Sequence, residues 1–186
     1  MRPLAPLAAA VAALLSATPA AAQTPAPAVP APTPGPVFTD FAATYRLKPD
    51  IPVPSTGVFK VAFNTTEAAK PGEINRTVNS AGRFINMLVA AGVPEKNIHV
   101  AVVVHGTAGS DLVQDAAYRA LHNGTGNASE RPIRELLAHG GAVYLCGQSM
   151  IGHGTVREDL IPGVKVALSA MVMHAQLQQQ GYTLNP

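Results

Sequence analysis

Short apolar runs and helical apolar spacings alternate along the chain from residue 58 onward. The apolar runs predict five strands, at Val58 to Phe63, Ile98 to Val104, Ala142 to Cys146, Val164 to Leu168 and Tyr182 to Leu184. The helical spacings predict four helices, at Gly72 to Ala91, Asp111 to Leu121, Pro132 to His139 and Ser169 to Gln180. Asp111 is expected to cap the second helix. Strands separated by helices predict an α/β fold, with a mainly parallel sheet of about five strands and helices on both faces.

A different pattern fills the beginning of the chain. Arg2 is followed by an apolar run from Leu4 to Leu15, and Ala20 to Ala22 supply the small residues that an export peptidase recognises. This run is shorter than the roughly twenty residues that a membrane-spanning helix needs. We therefore predict a cleavable signal peptide at residues 1–22, a protein without a stable membrane span, and a periplasmic or secreted location.

Two further segments separate this leader from the α/β pattern. Residues 23–36 contain six prolines, which lack a backbone donor, and they are predicted to form an extended linker that joins no sheet. Residues 37–57 combine prolines with apolar side chains such as Phe38 and Phe41, so we expect an ordered lead-in there. The α/β domain itself is predicted to span residues 58–186.

Composition excludes several classes of function. About 47% of the residues are apolar, 13% are charged and the formal net charge is +2, so the chain lacks the basic surface that nucleic-acid binding needs. Glycine-rich phosphate-binding motifs are missing, which argues against a nucleotide, and no other cofactor is indicated. The single cysteine, Cys146, rules out an intramolecular disulfide and a zinc site built from several thiolates.

The candidate chemistry lies where strands end, because ligands of an open α/β sheet bind beyond the carboxyl ends of its strands. The residues at such positions are Asn64, His105, Cys146, Gly147, Gln148 and Ser149. Free N–H groups of the helical turn predicted at Gly147 would stabilise the thiolate of Cys146, which is the nucleophilic form of cysteine. The alternative is that Cys146 is a small buried side chain without reactivity.

Histidines near this cysteine could handle its proton. His105 faces Cys146 if their strands are neighbours, and His153 lies in a glycine-rich loop seven residues after Cys146. The commoner alternative is that both are ordinary polar or capping histidines. His174 lies inside a predicted helix beside two methionines, and there the ordinary role is expected.

A soft metal such as Cu(I) offers a competing interpretation. The side chains that it would accept are Cys146, Met150, His153, Met171, Met173 and His174. Methionines at helical spacing more often pack in a core than bind a metal. The spacings typical of zinc and calcium ligands are missing, so we predict no metal site.

Four sequence blocks resemble the DsrE/DsrF-like family of sulfur-metabolism proteins. The blocks are Val102 to Gly106, Gly141 to Gly147, Glu158 to Val164 and Gln179 to Tyr182, in matching order and spacing. The resemblance implies a three-layer α/β/α domain with a five-stranded parallel sheet, assembled as trimers or hexamers. It also implies that a cysteine after a strand carries a persulfide and passes the sulfur to a cysteine of a partner protein. Cys146 is similar to that cysteine.

Together these features predict an exported sulfur carrier that acts through Cys146. The thiolate would attack a sulfane-sulfur donor, His105 or His153 would assist proton transfer, and Asn64 with the residues following Cys146 would contact the substrate. Whether the chain turns over as a sulfurtransferase or acts as a carrier stays open. The alternative is a non-catalytic oligomeric module that binds a ligand or a soft metal.

Overall fold

This computed structural model describes residues 29–185, so the predicted signal peptide and residues 23–28 of the predicted linker lie outside the described residues. The strands are β1 (Phe59–Thr65), β2 (Ile98–Val104), β3 (Ala142–Cys146), β4 (Lys165–Ala167) and β5 (Thr183–Asn185). The helices are α1 (Arg76–Ala90), α2 (Asp115–Leu121), α3 (Glu130–Ala138), α4 (Gly147–Gly152) and α5 (Ala170–Gln179). Within residues 29–185, none of the helices combines the length and apolar character that crossing a bilayer requires.

All five strands pair in parallel, in the order β4-β3-β2-β1-β5, which confirms the predicted α/β fold. The chain steps across the sheet in one direction from β1 to β4 and then returns past β1 to form β5. Because crossovers between parallel strands are right-handed, the helices before β4 lie on one face and α5, on the return, lies on the other. The sheet is therefore the middle of three layers.

Each face of the sheet has its own core. On the face covered by α1 and α3, large side chains such as Phe63, Val102 and Leu145 are buried. On the other face, α5 packs Met173 and Leu177 against a smaller cluster that includes Cys146. Side chains alternate between the faces along each strand, so Cys146 points to the α5 face while its neighbour Leu145 points away from it.

The segment before α2 differs from the sequence prediction. Asp111 does not cap a helix. It lies inside a 3-10 helix at Gly106–Leu112, where it is only 1% exposed, and α2 begins four residues after it. Its Oδ2 instead accepts hydrogen bonds at 2.8 Å from the N–H of Ala69 and from Nδ2 of Asn75. Burial raises the pKa of the Asp111 carboxyl. The carboxylate thus anchors the loop after β1 rather than a helix terminus.

The lead-in is held on the domain by one side chain of α1. Asn86 is completely buried, and its Oδ1 accepts hydrogen bonds from the N–H groups of Val37 and Phe38. Its Nδ2 donates to the carbonyl oxygens of Phe38 and Ala42. With its Oδ1 accepting two bonds and its Nδ2 donating two, Asn86 replaces the sheet or helix partners that this irregular backbone lacks.

The end of the predicted linker also joins the domain. Thr33 and Thr44 exchange two backbone hydrogen bonds, of 2.8 and 2.9 Å, in an isolated antiparallel bridge. Gly35 donates its N–H to the carbonyl oxygen of Phe38. Residues 33–36 of the predicted linker therefore contact the domain, because Thr33 and Gly35 supply the backbone donors that the prolines around them lack.

Candidate active site at the carboxyl edge of the sheet

Cys146 lies at the end of β3, between the starts of two helices that leave the sheet on opposite faces. Helix α4 begins directly after it, and Met150 of that helix packs against the core on the α1 face. Helix α5 follows the neighbouring strand β4 and covers the other face. Open α/β sheets form their binding crevices where adjacent strands connect to opposite faces. Cys146 therefore occupies the crevice position of this fold.

The surroundings of Cys146 favour its thiolate. Burial is the largest influence and by itself raises the pKa of the Cys146 thiol, since the residue is only 5% exposed. Hydrogen bonds from the N–H and hydroxyl of Ser149 and from the N–H groups of Ala170 and Gln148 outweigh burial, and the pKa lies below its ordinary value. Both helices of the crevice thus contribute donors to one sulfur atom.

The Ser149 hydroxyl is oriented by the loop after β2. The N–H of Gly106 donates to Oγ of Ser149 at 3.0 Å, so the serine hydrogen remains free to point at the sulfur of Cys146. Gly106 has a φ of +59°, and a Cβ there would lie 2.7 Å from the carbonyl oxygen of Thr66. Only glycine fits this turn without displacement.

His105 stands beside Cys146. Val104 pairs with Leu145 across β2 and β3, so the next residues along the two strands, His105 and Cys146, are adjacent and point to the same face. On the other side of β2, Asn64 of β1 also points to this face, and its Oδ1 lies 3.0 Å from Nε2 of His105. Asn64, His105 and Cys146 therefore form a row along the carboxyl edge of three neighbouring strands.

A second histidine joins this row from α5. Nε2 of His174 lies 2.9 Å from Oδ1 of Asn64, so this oxygen accepts from both histidines. Nδ1 of His174 is buried and has no hydrogen-bond partner among the described residues. Burial, and secondarily the charge of His105, lower the pKa of His174. His174 is thus a neutral donor to Asn64. The sequence alone predicts only an ordinary helical histidine at this position.

The remaining predicted residues have different surroundings. Gly147 permits close approach to β4, because a Cβ there would lie 2.8 Å from the carbonyl oxygen of Ala167. Gln148 is exposed and donates from Nε2 to the carbonyl oxygen of Leu168 at 3.3 Å. Helix α4 carries His153 about 9 Å from the strand end, where it is exposed and its ring bonds to no described residue. The structure does not bring His153 to Cys146.

The side chains considered for a soft metal are dispersed. Met150 packs on the α1 face, Met171 is 81% exposed, and only Met173 shares the small core with Cys146. Among residues 29–185, no three histidine, cysteine or carboxylate side chains cluster as a metal would need.

Comparison with known proteins identifies similar sequences and folds. The sequence model of the DsrE/DsrF-like family matches residues 58–186. A protein of unknown function from Methanobacterium thermoautotrophicum, MTH1491, superposes with a TM-score of 0.51 at 18% identity, over 68% of this chain and 97% of that one. The ychN protein from E. coli gives a TM-score of 0.49 at 20% identity, over 68% and 96% of the two chains. No curated protein matches the chain.

Proposed function

Since the chain belongs to the DsrE/DsrF-like family, we propose that it takes up sulfane sulfur on Cys146 and carries it as a persulfide. The observation that carries this proposal is the set of donors from Gln148, Ser149 and Ala170 around a single sulfur atom. They stabilise the thiolate, which is the form that attacks a sulfane sulfur. The same donors would hold the charge of the persulfide that results.

His105 is proposed to handle the proton of this reaction. Because its Nε2–H donates to Oδ1 of Asn64, Nδ1 is the ring nitrogen that is left to accept the thiol proton of the neighbouring Cys146. The thiolate attacks the outer sulfur of a donor R–S–S–H, so a new S–S bond forms on Cys146 as the donor S–S bond breaks. The leaving R–S⁻ receives the proton from His105, and no oxidant or reductant is consumed.

Intact-mass measurement tests this proposal. Incubating the reduced full chain with a persulfide donor should add the mass of one sulfur atom to the wild type, and a cyanide or thiol acceptor should remove it. The Cys146→Ala variant should gain nothing, while Ser110→Ala, a matched change in the neighbouring 3-10 helix, should behave like the wild type. Equal sulfur uptake by the Cys146→Ala variant would refute a carrier role for this residue.

We also propose that copies of the chain assemble around this edge. Ile151 of α4, Leu168 between β4 and α5, and Met171 of α5 are 73%, 71% and 81% exposed, in the segments that follow the carboxyl ends of β3 and β4. Apolar side chains grouped in this way suit a surface that a second chain covers, and the family resemblance implies trimers or hexamers. Light scattering should report such an oligomer for the wild type and a smaller species for Met171→Glu.

A partner protein with an acceptor cysteine completes the proposed carrier role. It would attack the outer sulfur of the Cys146 persulfide and leave the Cys146 thiolate behind. The leader at residues 1–22 is proposed to place this exchange in the periplasm or outside the cell. Mass analysis of the protein from a periplasmic fraction should find Gln23 as the first residue, whereas an intact Met1 would contradict export by cleavage.

A further inference from the structure

The sulfur of Cys146 lies between two walls that belong to different helices. One wall is the first turn of α4, where the N–H groups of Gln148 and Ser149 donate to the sulfur. The other wall is the segment that leads from β4 into α5, where the N–H of Ala170 donates to the same atom. Because both walls contact it, Cys146 is only 5% exposed. A molecule that reacts with the sulfur must therefore enter between the walls.

The inner part of the gap between the two walls is closed by backbone. A Cβ on Gly147 would lie 2.8 Å from the carbonyl oxygen of Ala167 and 3.4 Å from that of Leu168, so the walls meet there. Within the sheet, Cys146 is flanked on its two sides by Ala167 and His105. The approach that is left to the sulfur is the solvent-facing part of the gap.

The side chain of Gln148 spans this solvent-facing part. Its Nε2 donates to the carbonyl oxygen of Leu168 at 3.3 Å, and Leu168 lies two residues before Ala170. Each end of this hydrogen bond thus belongs to a wall whose N–H groups hold the sulfur. Gln148 and Leu168 are both exposed, so the bond bridges the two walls on the solvent side of Cys146.

The bridge is weak enough to open. Its length of 3.3 Å exceeds the usual limit of about 3.2 Å for an N–H···O hydrogen bond, and water competes for both exposed partners. The long glutamine side chain also regains rotamer freedom when it leaves Leu168. Gln148 can therefore alternate between a closed position on Leu168 and an open position in solvent.

From this geometry we infer that Gln148 is a specificity-determining residue that selects, by size, the molecules that reach Cys146. The inference rests on the proposed sulfur uptake by Cys146 and adds a control of access to that site. In the closed position, Gln148 admits slender molecules. It moves aside before a bulky reagent or the cysteine of a partner protein reaches the sulfur. Its backbone N–H holds the sulfur in both positions.

Alkylation of the reduced full-length chain with reagents of two sizes tests this inference. Gln148→Ala removes the bridge but keeps the backbone N–H. The bulky N-phenylmaleimide should therefore react about fivefold faster with this variant than with the wild type, because one hydrogen bond of about 1 kcal/mol favours the closed position by roughly that factor. The rate with the slender iodoacetamide should stay the same. Gln178→Ala, which changes an exposed glutamine near the far end of α5, is the matched control and should leave both rates unchanged.

Three results would overturn the inference. N-phenylmaleimide could react with Gln148→Ala no faster than with the wild type, which would exclude a role in access. Both reagents could accelerate equally, which would indicate a change in the thiolate rather than a selection by size. The pH at half-maximal rate could shift while the preference for size stays unchanged, which would place the effect of Gln148 on the charge of the sulfur.

Sulfur uptake from inorganic polysulfide, followed by intact mass, separates this inference from the proposed function. If Cys146 takes up sulfur but Gln148→Ala keeps the size preference of the wild type, the access role fails while the carrier role stands. If Gln148→Ala changes the size preference as expected but Cys146 takes up no sulfur, the access role stands and the carrier role fails.

Discussion

The N–H of Gly106 donates to Oγ of Ser149 at 3.0 Å, and this contact joins the loop after β2 to the helix that follows Cys146. Because the oxygen of the hydroxyl is engaged, its hydrogen is available to the Cys146 sulfur. The thiolate therefore depends on a residue from a neighbouring strand as well as on its own helix.

Replacing Ser149 with alanine should raise the pKa of Cys146. A hydrogen bond to a charged group contributes about 1.5 kcal/mol or more to the stability of the charged form, and the variant loses this contribution. The pH dependence of thiol alkylation measures this shift. Ser149→Thr, which keeps the hydroxyl, should stay close to the wild type, and an unchanged midpoint in Ser149→Ala would contradict the assigned hydrogen bond.

The lowered pKa of Cys146 predicts a stability that depends on pH. Between the folded-state pKa and about 8.5, the value for a free thiol, the unfolded chain binds a proton that the folded chain does not. The free energy of unfolding should therefore rise with pH across this window, and this stabilisation is lost as pH falls through the folded-state pKa. Urea denaturation under reducing conditions should show the rise in the wild type and a smaller one in Cys146→Ala; parallel curves for both would argue against a stabilised thiolate.

His174 is predicted to act as a positioning residue. The His174→Leu variant loses the hydrogen bond from His174 to Oδ1 of Asn64, so Asn64 is held less firmly and orients His105 less well. Sulfur uptake by this variant should be slower, and the pH profile of uptake should shift. His174→Gln can place an amide nitrogen near the original Nε2 and should restore both. A His174→Leu variant with an unaltered pH profile would reduce His174 to a packing role.

Removing the side chain of Asn86 should loosen the lead-in. Asn86→Ala loses four hydrogen bonds to buried or half-buried backbone, which should lower the free energy of unfolding by about 3 kcal/mol. Asn79→Ala, whose side chain makes one bond to the N–H of Ala42, is the control and should cost about 1 kcal/mol. Urea denaturation measures the free energy of unfolding of both variants. Equal decreases in the two variants would contradict the role of Asn86 in holding the lead-in on the domain.

Strands with long aliphatic runs were predictable from the sequence. The bounds predicted for β2 and β3 agree with the structure, because Ile98 to Val104 and Ala142 to Cys146 end at polar or glycine residues. The start of α1 was predicted four residues too early. The side chain of Asn75 caps this helix by accepting hydrogen bonds from the N–H groups of Thr77 and Val78. The spacing of apolar residues carries no information about such a polar cap.

The site was predictable as far as it depends on strand ends. The rule that sites form at the carboxyl ends of strands predicts Asn64, His105 and Cys146. The position of His174 depends instead on which strands α5 crosses. A single sequence does not give the strand order. One signal was present: His174 lies on the stripe of α5 that buries Ala170, Met173 and Leu177. A polar residue on a buried stripe needs a partner, and Asn64 is that partner.

The rate of Cys146 alkylation as a function of pH, followed by intact mass in the folded full chain, tests the central claim most directly. The structure predicts that the rate reaches half its maximum at a pH below the ordinary value for a free thiol, about 8.5. A midpoint at or above that value, or a thiol that reacts only after unfolding, would show that Cys146 is a packing residue and would contradict the proposed persulfide carrier.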